Sequence, residues 1–183
     1  PPMPTAMSLG RSGPAAQSDA LMVLSANGTV IGGSSHMAGE MRARGWPGGF
    51  ARPQATVAPM LKALDRPLRV GVPFPFSMHR LLFDYWLRNA GAEVPREARI
   101  ITTPPPLMAE AVKAGEIDVF CVGEPWGSVA VGAGVGELIM AGVAIWAHAP
   151  EKVLAARRGW VDDNAKAVGA LMRAVSRAAR WLD

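Results

Sequence analysis

The most regular patterning lies in the middle of the chain, where short apolar runs alternate with helical stripes. Residues 68–72 predict a strand. Residues 77–90 predict a helix, because Met78, Leu81, Leu82, Tyr85 and Trp86 recur at helical spacing, with Ser77 as its N-cap and Gly91 just past its end. A second strand is predicted at 99–103, stopped by three consecutive prolines, Pro104 to Pro106. A helix over 107–114 ends at Gly115, and a third strand follows at 118–122. Pro125 is placed as the first residue of a helix running to about Ala133, and residues 137–145 predict a last strand.

The flanking segments are less regular. Residues 1–20 are rich in Pro, Gly, Ser and Ala and read as loop. The apolar run at 21–24 ends at the turn signal Ser25-Ala26-Asn27-Gly28, and Val30-Ile31 resume a strand. A short helix at 35–44 is closed by Gly45, a loop covers 46–54, and a helix at 56–64 carries Pro59 in its first turn, where proline is tolerated. Near the end, 162–182 predicts a long amphipathic helix capped by Asp162-Asp163-Asn164. Its expected buried stripe is Val168, Leu171, Met172, Val175, Ala179 and Leu182. Strands and helices in alternation predict an α/β fold, with a parallel or mostly parallel sheet covered on both faces.

Composition narrows the possibilities. With 183 residues, half of them hydrophobic, the chain is large enough for one domain or two small lobes. No uninterrupted apolar stretch is long enough to span a bilayer. The net charge of +4 comes from scattered arginines with no basic run and interleaved aromatics, which predicts a solvated surface and no direct nucleic-acid contact. The single cysteine, Cys121, excludes an internal disulfide; this suits the cytoplasm and leaves the periplasm open. The Pro-Pro-Met-Pro start and the helical pattern running to Asp183 lead us to expect a segment of a longer protein.

Ligands of open α/β sheets bind beyond the carboxyl ends of strands, and two loops occupy that place. The first, 73–79, leads into a helix whose N-terminus offers backbone N–H groups and partial positive charge to an anion. Ser77 adds a hydroxyl and His79 a ring N–H in the first turn, a set suited to a planar oxyanion. The plainer reading is that Ser77 only caps the helix and His79 lies on the surface. In the second loop, 123–126, Glu124 reads as structural, as a helix cap or a bond across the cleft, since a carboxylate repels an anion. Lys152, one of four lysines, is a compact positive charge that is either a ligand contact or a solvated side chain.

Signals for catalysis or a cofactor are weak. Cys121 sits in an apolar strand and reads as buried and inert. His36, His79 and His148 lack metal-site spacing. The glycines at 132, 134 and 136 follow a helix instead of a strand, which is the wrong context for a dinucleotide loop. We expect no metal and no cofactor.

Several segments, in order, resemble the nitrate/bicarbonate branch of periplasmic-type solute-binding proteins. They are Phe74-Pro75-Phe76-Ser77-Met78-His79, Tyr85-Trp86-Leu87, Pro104-Pro105-Pro106-Leu107-Met108, Ala114-Gly115-Glu116-Ile117-Asp118, Phe120-Cys121-Val122-Gly123-Glu124-Pro125-Trp126 and Pro150-Glu151-Lys152. The resemblance is densest over 68–183 and looser over 1–67. It implies a two-lobed, periplasmic-binding-protein-like (type II) fold that closes on a ligand, with the first lobe incomplete here. The implied division is 1–67 as part of the first lobe, 68–147 as the second lobe, and 148–183 as the segment returning to the first. His79 and Lys152 match the family's nitrate contacts, and the lysine favours nitrate or nitrite over bicarbonate. Where the family often places a glutamine that reaches the ligand, this chain has Thr29, and the aromatic contact from the start of the first lobe has no counterpart.

The expectation is therefore a non-enzymatic oxyanion-binding module with ligand contacts from His79, Lys152, Ser77 and Thr29. One role is delivery to the membrane subunits of an ABC importer, in the periplasm. The other, which the Phe-Pro-x-Ser-x-His form favours slightly, is cytoplasmic nitrate/nitrite sensing with an RNA-binding antiterminator as partner. The alternatives are an enzyme on the same fold using Cys121 or His79, and a degenerate module that binds nothing.

Overall fold

The computed structural model describes residues 17–94 and 96–182. The loop expected at 1–20 lies outside the described residues up to position 16, and its last three residues begin a strand. The chain divides into two compact units, 27–149 and the pair of terminal segments up to Ala26 and from Pro150 onward.

The larger unit is built on a five-stranded sheet of β2 (Thr29–Ser34), β3 (Leu68–Val72), β4 (Ala98–Thr102), β5 (Val119–Gly123) and β6 (Gly136–Ala141), in the order β4-β3-β5-β2-β6. β3 pairs in parallel with β4 and β5, while β2 runs antiparallel to both β5 and β6. The sheet is thus mostly parallel with one reversed strand. β2 is hydrogen-bonded between two later strands, β5 and β6, and the two compact units meet at 26/27 and 149/150, beside the division into 1–67, 68–147 and 148–183 that the resemblance implies.

The helices are α1 (Ser35–Ala43), α2 (Pro53–Lys62), α3 (Met78–Asn89), α4 (Met108–Lys113), α5 (Trp126–Gly132) and the short α6 (Gly142–Ile145). They help form two apolar layers. One joins Met37 and Met41 of α1, Val57 and Met60 of α2, and Phe83, Trp86 and Leu87 of α3 to Ile31, Val70 and Cys121. The other joins Met108, Ala111 and Val112 of α4 and Ala130 of α5 to Val30, Phe120 and Val122. Alternate residues of β5 therefore enter different cores, which is why this strand is apolar throughout. Fully burying each large side chain contributes about 1.5–3 kcal/mol. Gly32 leaves room for one of them: a Cβ there would stand 2.2 Å from the Phe120 ring.

Tertiary packing moved several expected features. In α3 the buried residues are Leu82, Phe83, Trp86 and Leu87, while Leu81 and Tyr85 are about half exposed, so the covered face is rotated from the stripe read in sequence. α2 begins at Pro53, a favourable first helical residue, so Pro59 lies inside the helix rather than in its first turn. Pro125 occupies the N-cap position of α5 instead of its first helical residue. β6 stops at Ala141, because β2 begins at Thr29 and offers no partner further on; the remaining residues, expected as strand, form α6.

At the amino end of β5, Asp118 is 6% exposed and accepts bonds from Arg66 and Arg69. Burial alone would raise its carboxyl, but the two guanidiniums and the Arg69 backbone N–H hold it well below the usual carboxylate range.

The smaller unit pairs β1 (Ser18–Ala26) with β7 (Pro150–Arg157) in an antiparallel ribbon. Arg158 ties its far end by bonding Asp19 and Gln17. The long helix expected from Asp162 is broken at Asn164 into α7 (Arg158–Asp163) and α8 (Ala165–Leu182). Asp162 and Asp163 therefore end one helix instead of capping the next. Of the stripe expected in α8, only Val168 is buried; Leu171 is 41% exposed and Leu182 is 78% exposed. The stripe is amphipathic as read, but few described residues cover it. Among the described residues, no helix is long and apolar enough to cross a membrane.

Candidate functional site

Three of the residues singled out from sequence lie in the larger unit, around the carboxyl ends of β3 and β5. The chain leaves β3 at Val72, turns through Pro73 to Phe76, and enters α3 at Ser77. Ser77 is buried and has extended backbone geometry, as an N-cap requires. Its hydroxyl donates to the Phe74 carbonyl oxygen at 2.8 Å and accepts the Arg80 N–H at 3.3 Å. Both bonds fit the capping reading, and its only hydrogen points at the loop. Arg80 is held in turn by Asp84, Nε to Oδ2 at 2.5 Å.

His79 is the second residue of α3 and is half-buried. Its backbone carbonyl accepts the Cys121 thiol at 3.3 Å across the gap between α3 and β5. Cys121 is fully buried, as its apolar strand implied, so it offers no accessible nucleophile. Thr29 opens β2 opposite Gly123, the last residue of β5, and is 8% exposed. A Cβ built on Gly142, at the start of α6, would meet the Thr29 backbone carbonyl oxygen at 2.8 Å and Leu82 Cδ2 at 3.1 Å. Only glycine allows this approach, which brings Thr29 close to Leu82, three residues along α3 from His79.

Lys152 belongs to the smaller unit. It lies on β7 opposite Ser25, its side chain is 66% exposed, and it is ion-paired with the well-covered Glu151. In the second loop, Glu124 Oε2 accepts the Ser128 N–H at 3.0 Å, so it caps its own helix. Among the described residues, no group of three His, Cys, Asp or Glu is placed to hold a metal ion.

Sequence reasoning read Asn27 only as a turn residue. It is the one non-glycine residue with positive φ among those described, at 64°. Its N–H donates to the Ala149 carbonyl at 2.7 Å, its Oδ1 accepts the Ala149 N–H, and its Nδ2 donates to the Ala147 carbonyl, each of the latter two at 3.3 Å. The Asn-Gly pair carried the backbone signal, but nothing local showed the partners 120 residues away.

A mixed sheet with helices on both faces, and a loop-to-helix junction beyond its strand ends, is the α/β fold of periplasmic solute-binding proteins, here in partial form. The chain belongs to the NMT1-like family, whose model matches residues 1–183. It superposes over its whole length on the periplasmic nitrate-binding protein NrtA from Synechocystis, with a TM-score of 0.79 and 30% identity, and covers 46% of that chain. It is 36% identical over 127 residues to the nitrate/nitrite binding protein NrtA of Synechococcus elongatus, an alignment covering 69% of this chain and 29% of the relative. It is also 34% identical over 183 residues to the nitrate import ATP-binding protein NrtC of Synechocystis, covering 99% of this chain and 26% of the relative. The chain thus spans under half of the solved nitrate-binding protein and less than a third of these two curated relatives. The solved structures it resembles include solute-binding proteins for nitrate and for sulphonates, the latter a likeness of fold alone at 16% identity.

Proposed function

We propose that this chain supplies one part of a binding site for a small oxyanion, nitrate before nitrite, in a solute-binding module of an ABC-type importer. The observation that carries the reading is the start of α3. A twelve-residue helix begins beyond the carboxyl end of β3, capped by a buried serine, with His79 in its first turn. Such a helix start attracts an anion through its N–H groups and partial positive charge. In this reading the His79 ring donates to the anion, Lys152 contributes charge, and Thr29 lies where a short hydroxyl side chain replaces a longer contact. Ser77 acts by fixing the turn, because its hydrogen is engaged with Phe74.

The relatives named for nitrate binding and nitrate import favour the importer role over a sensor with an antiterminator partner. The fully buried Cys121 argues against an enzyme using that thiol. Bicarbonate is the second ligand to weigh, since the bicarbonate transport ATP-binding protein CmpC of Synechococcus elongatus is 34% identical over 119 residues.

The test is calorimetric titration of the full-length protein with nitrate, nitrite and bicarbonate, beside a His79→Ala, Lys152→Ala variant. We expect nitrate binding by the parent and at least about a hundred-fold loss in the variant, the order expected when two charge-assisted contacts are removed. A variant that binds nitrate as tightly as the parent refutes the assignment, and a parent that takes only bicarbonate refutes the choice of anion.

A further inference from the structure

We propose that the Asn27–Gly28 pair is a modification site, where spontaneous deamidation is held in check by the fold and released by local opening. The proposal goes beyond anion binding and does not depend on it. The chain has three asparagines, and only Asn27 precedes a glycine; Asn89 and Asn164 precede alanine. That neighbour decides the chemistry. The backbone nitrogen of the following residue attacks the side-chain carbonyl carbon of the asparagine, Cγ. A C–N bond forms, the bond from Cγ to Nδ2 breaks, and ammonia leaves with the proton given up by the backbone nitrogen. Water then opens the resulting succinimide ring at either carbonyl, leaving aspartate or isoaspartate. Glycine has no Cβ to screen the attacking nitrogen. The space beside Gly28 is also open: the residue is exposed, and a Cβ built there would meet nothing within 4 Å, so water has access.

What restrains the reaction is the bonding of Asn27 and its surroundings. Attack requires the side-chain amide to swing Cγ over the Gly28 nitrogen and the backbone between them to rotate. In the fold both ends of that amide are engaged: Oδ1 accepts the Ala149 N–H and Nδ2 donates to the Ala147 carbonyl, each at 3.3 Å. The main chain is fixed on both sides as well. The Asn27 N–H donates to the Ala149 carbonyl at 2.7 Å, and the Gly28 carbonyl accepts the Glu124 N–H at 2.9 Å. All of these groups belong to the larger unit. The two side-chain bonds are long, and the one from Nδ2 is exposed to solvent, so this is a segment that opens without the whole unit unfolding. Once taken, the step is one-way. Aspartate has no donor for the Ala147 carbonyl and sets a carboxylate oxygen against it. Isoaspartate also adds a methylene to the main chain just before β2. A converted chain therefore cannot rebuild the full set of bonds to residues 147 and 149.

The test follows the full-length protein at mildly alkaline pH, where the backbone nitrogen gives up its proton more readily, beside the same protein unfolded in guanidinium chloride at that pH. Proteolysis and mass spectrometry read the conversion of amide to acid at each asparagine, and fragment ions separate Asn27 from Gln17. In the unfolded chain Asn27 should convert at least about ten-fold faster than Asn89 or Asn164, and in the folded chain at least about ten-fold slower than in the unfolded one. Equal rates at the three asparagines of the unfolded chain overturn the site. Equal rates at Asn27 in the folded and unfolded chains overturn its control by the fold. The one-way step is tested with Asn27→Asp, one of the two products. Its amide hydrogens over 27–34 and 145–149 should exchange faster than those of the parent, and exchange at the parent rate overturns that part of the proposal.

Discussion

Replacing Asp118 by asparagine tests the largest concentration of buried charge in the sheet. Its Oδ2 accepts from Arg66 Nη1 at 2.7 Å, from the Arg69 backbone N–H at 2.9 Å and from Arg69 Nε at 3.2 Å. Its Oδ1 accepts from Arg66 Nη2 at 2.9 Å and from Arg69 Nη2 at 2.8 Å. Asparagine has one carbonyl oxygen. Placed at the Oδ2 position, it keeps three of these bonds and turns an amide NH2 toward two guanidinium donors. Losing two charge-assisted bonds at about 1.5–3 kcal/mol each gives an upper figure of about 6 kcal/mol. The arginine side chains are 44% and 33% exposed and stay partly hydrated, which lowers the expected cost to about 2–3 kcal/mol. Urea denaturation of the full-length protein should show a midpoint about 1 M lower. The pH dependence separates charge from shape. Because the folded carboxyl is depressed, its stabilisation is complete above the unfolded value, near 3.9, and is lost as pH falls through the folded one. The gap between parent and Asp118→Asn should therefore be constant from about pH 5 to 7 and narrow on acidification below about pH 4. Equal stability at pH 7, or a gap that does not narrow in acid, would refute the argument.

Two substitutions probe how the site is supported. Ser77→Ala removes the cap of α3 and the donor to Phe74, and should cost about 1 kcal/mol in denaturant unfolding while weakening nitrate binding through a frayed helix start; undiminished stability would contradict the capping role. Gly32→Ala sets a methyl 2.2 Å from Phe120 Cζ and 2.9 Å from the Glu137 carbonyl oxygen, so we expect a loss of about 3 kcal/mol or more by calorimetric melting, partly restored by a second change, Phe120→Leu. A Gly32→Ala protein melting with the parent would show that the sheet yields at this point.

Much of the architecture was legible in the chain because it is local. The strands expected at 68–72, 99–103 and 118–122, found at 68–72, 98–102 and 119–123, the helix closed by Gly91 and the capping role open to Ser77 follow from short-range periodicity and backbone preference, which tertiary packing moved by no more than one residue. The apolar character of β5 likewise announced a strand buried on both faces, and with it the burial of Cys121. What the chain left open was pairing at a distance. β2 could not be assigned to its place between β5 and β6, nor Asp118 to its two arginines, nor Asn27 to residues 147–149, because partners separated by 49 to 122 positions leave no periodic trace. The face of α3 shifted for the same reason: Leu81 and Leu82 are equally apolar, and only the sheet beneath the helix decides which is covered. Local sequence sets which backbone conformations are cheap; the closing of distant strands into one sheet selects which side chains that backbone brings together.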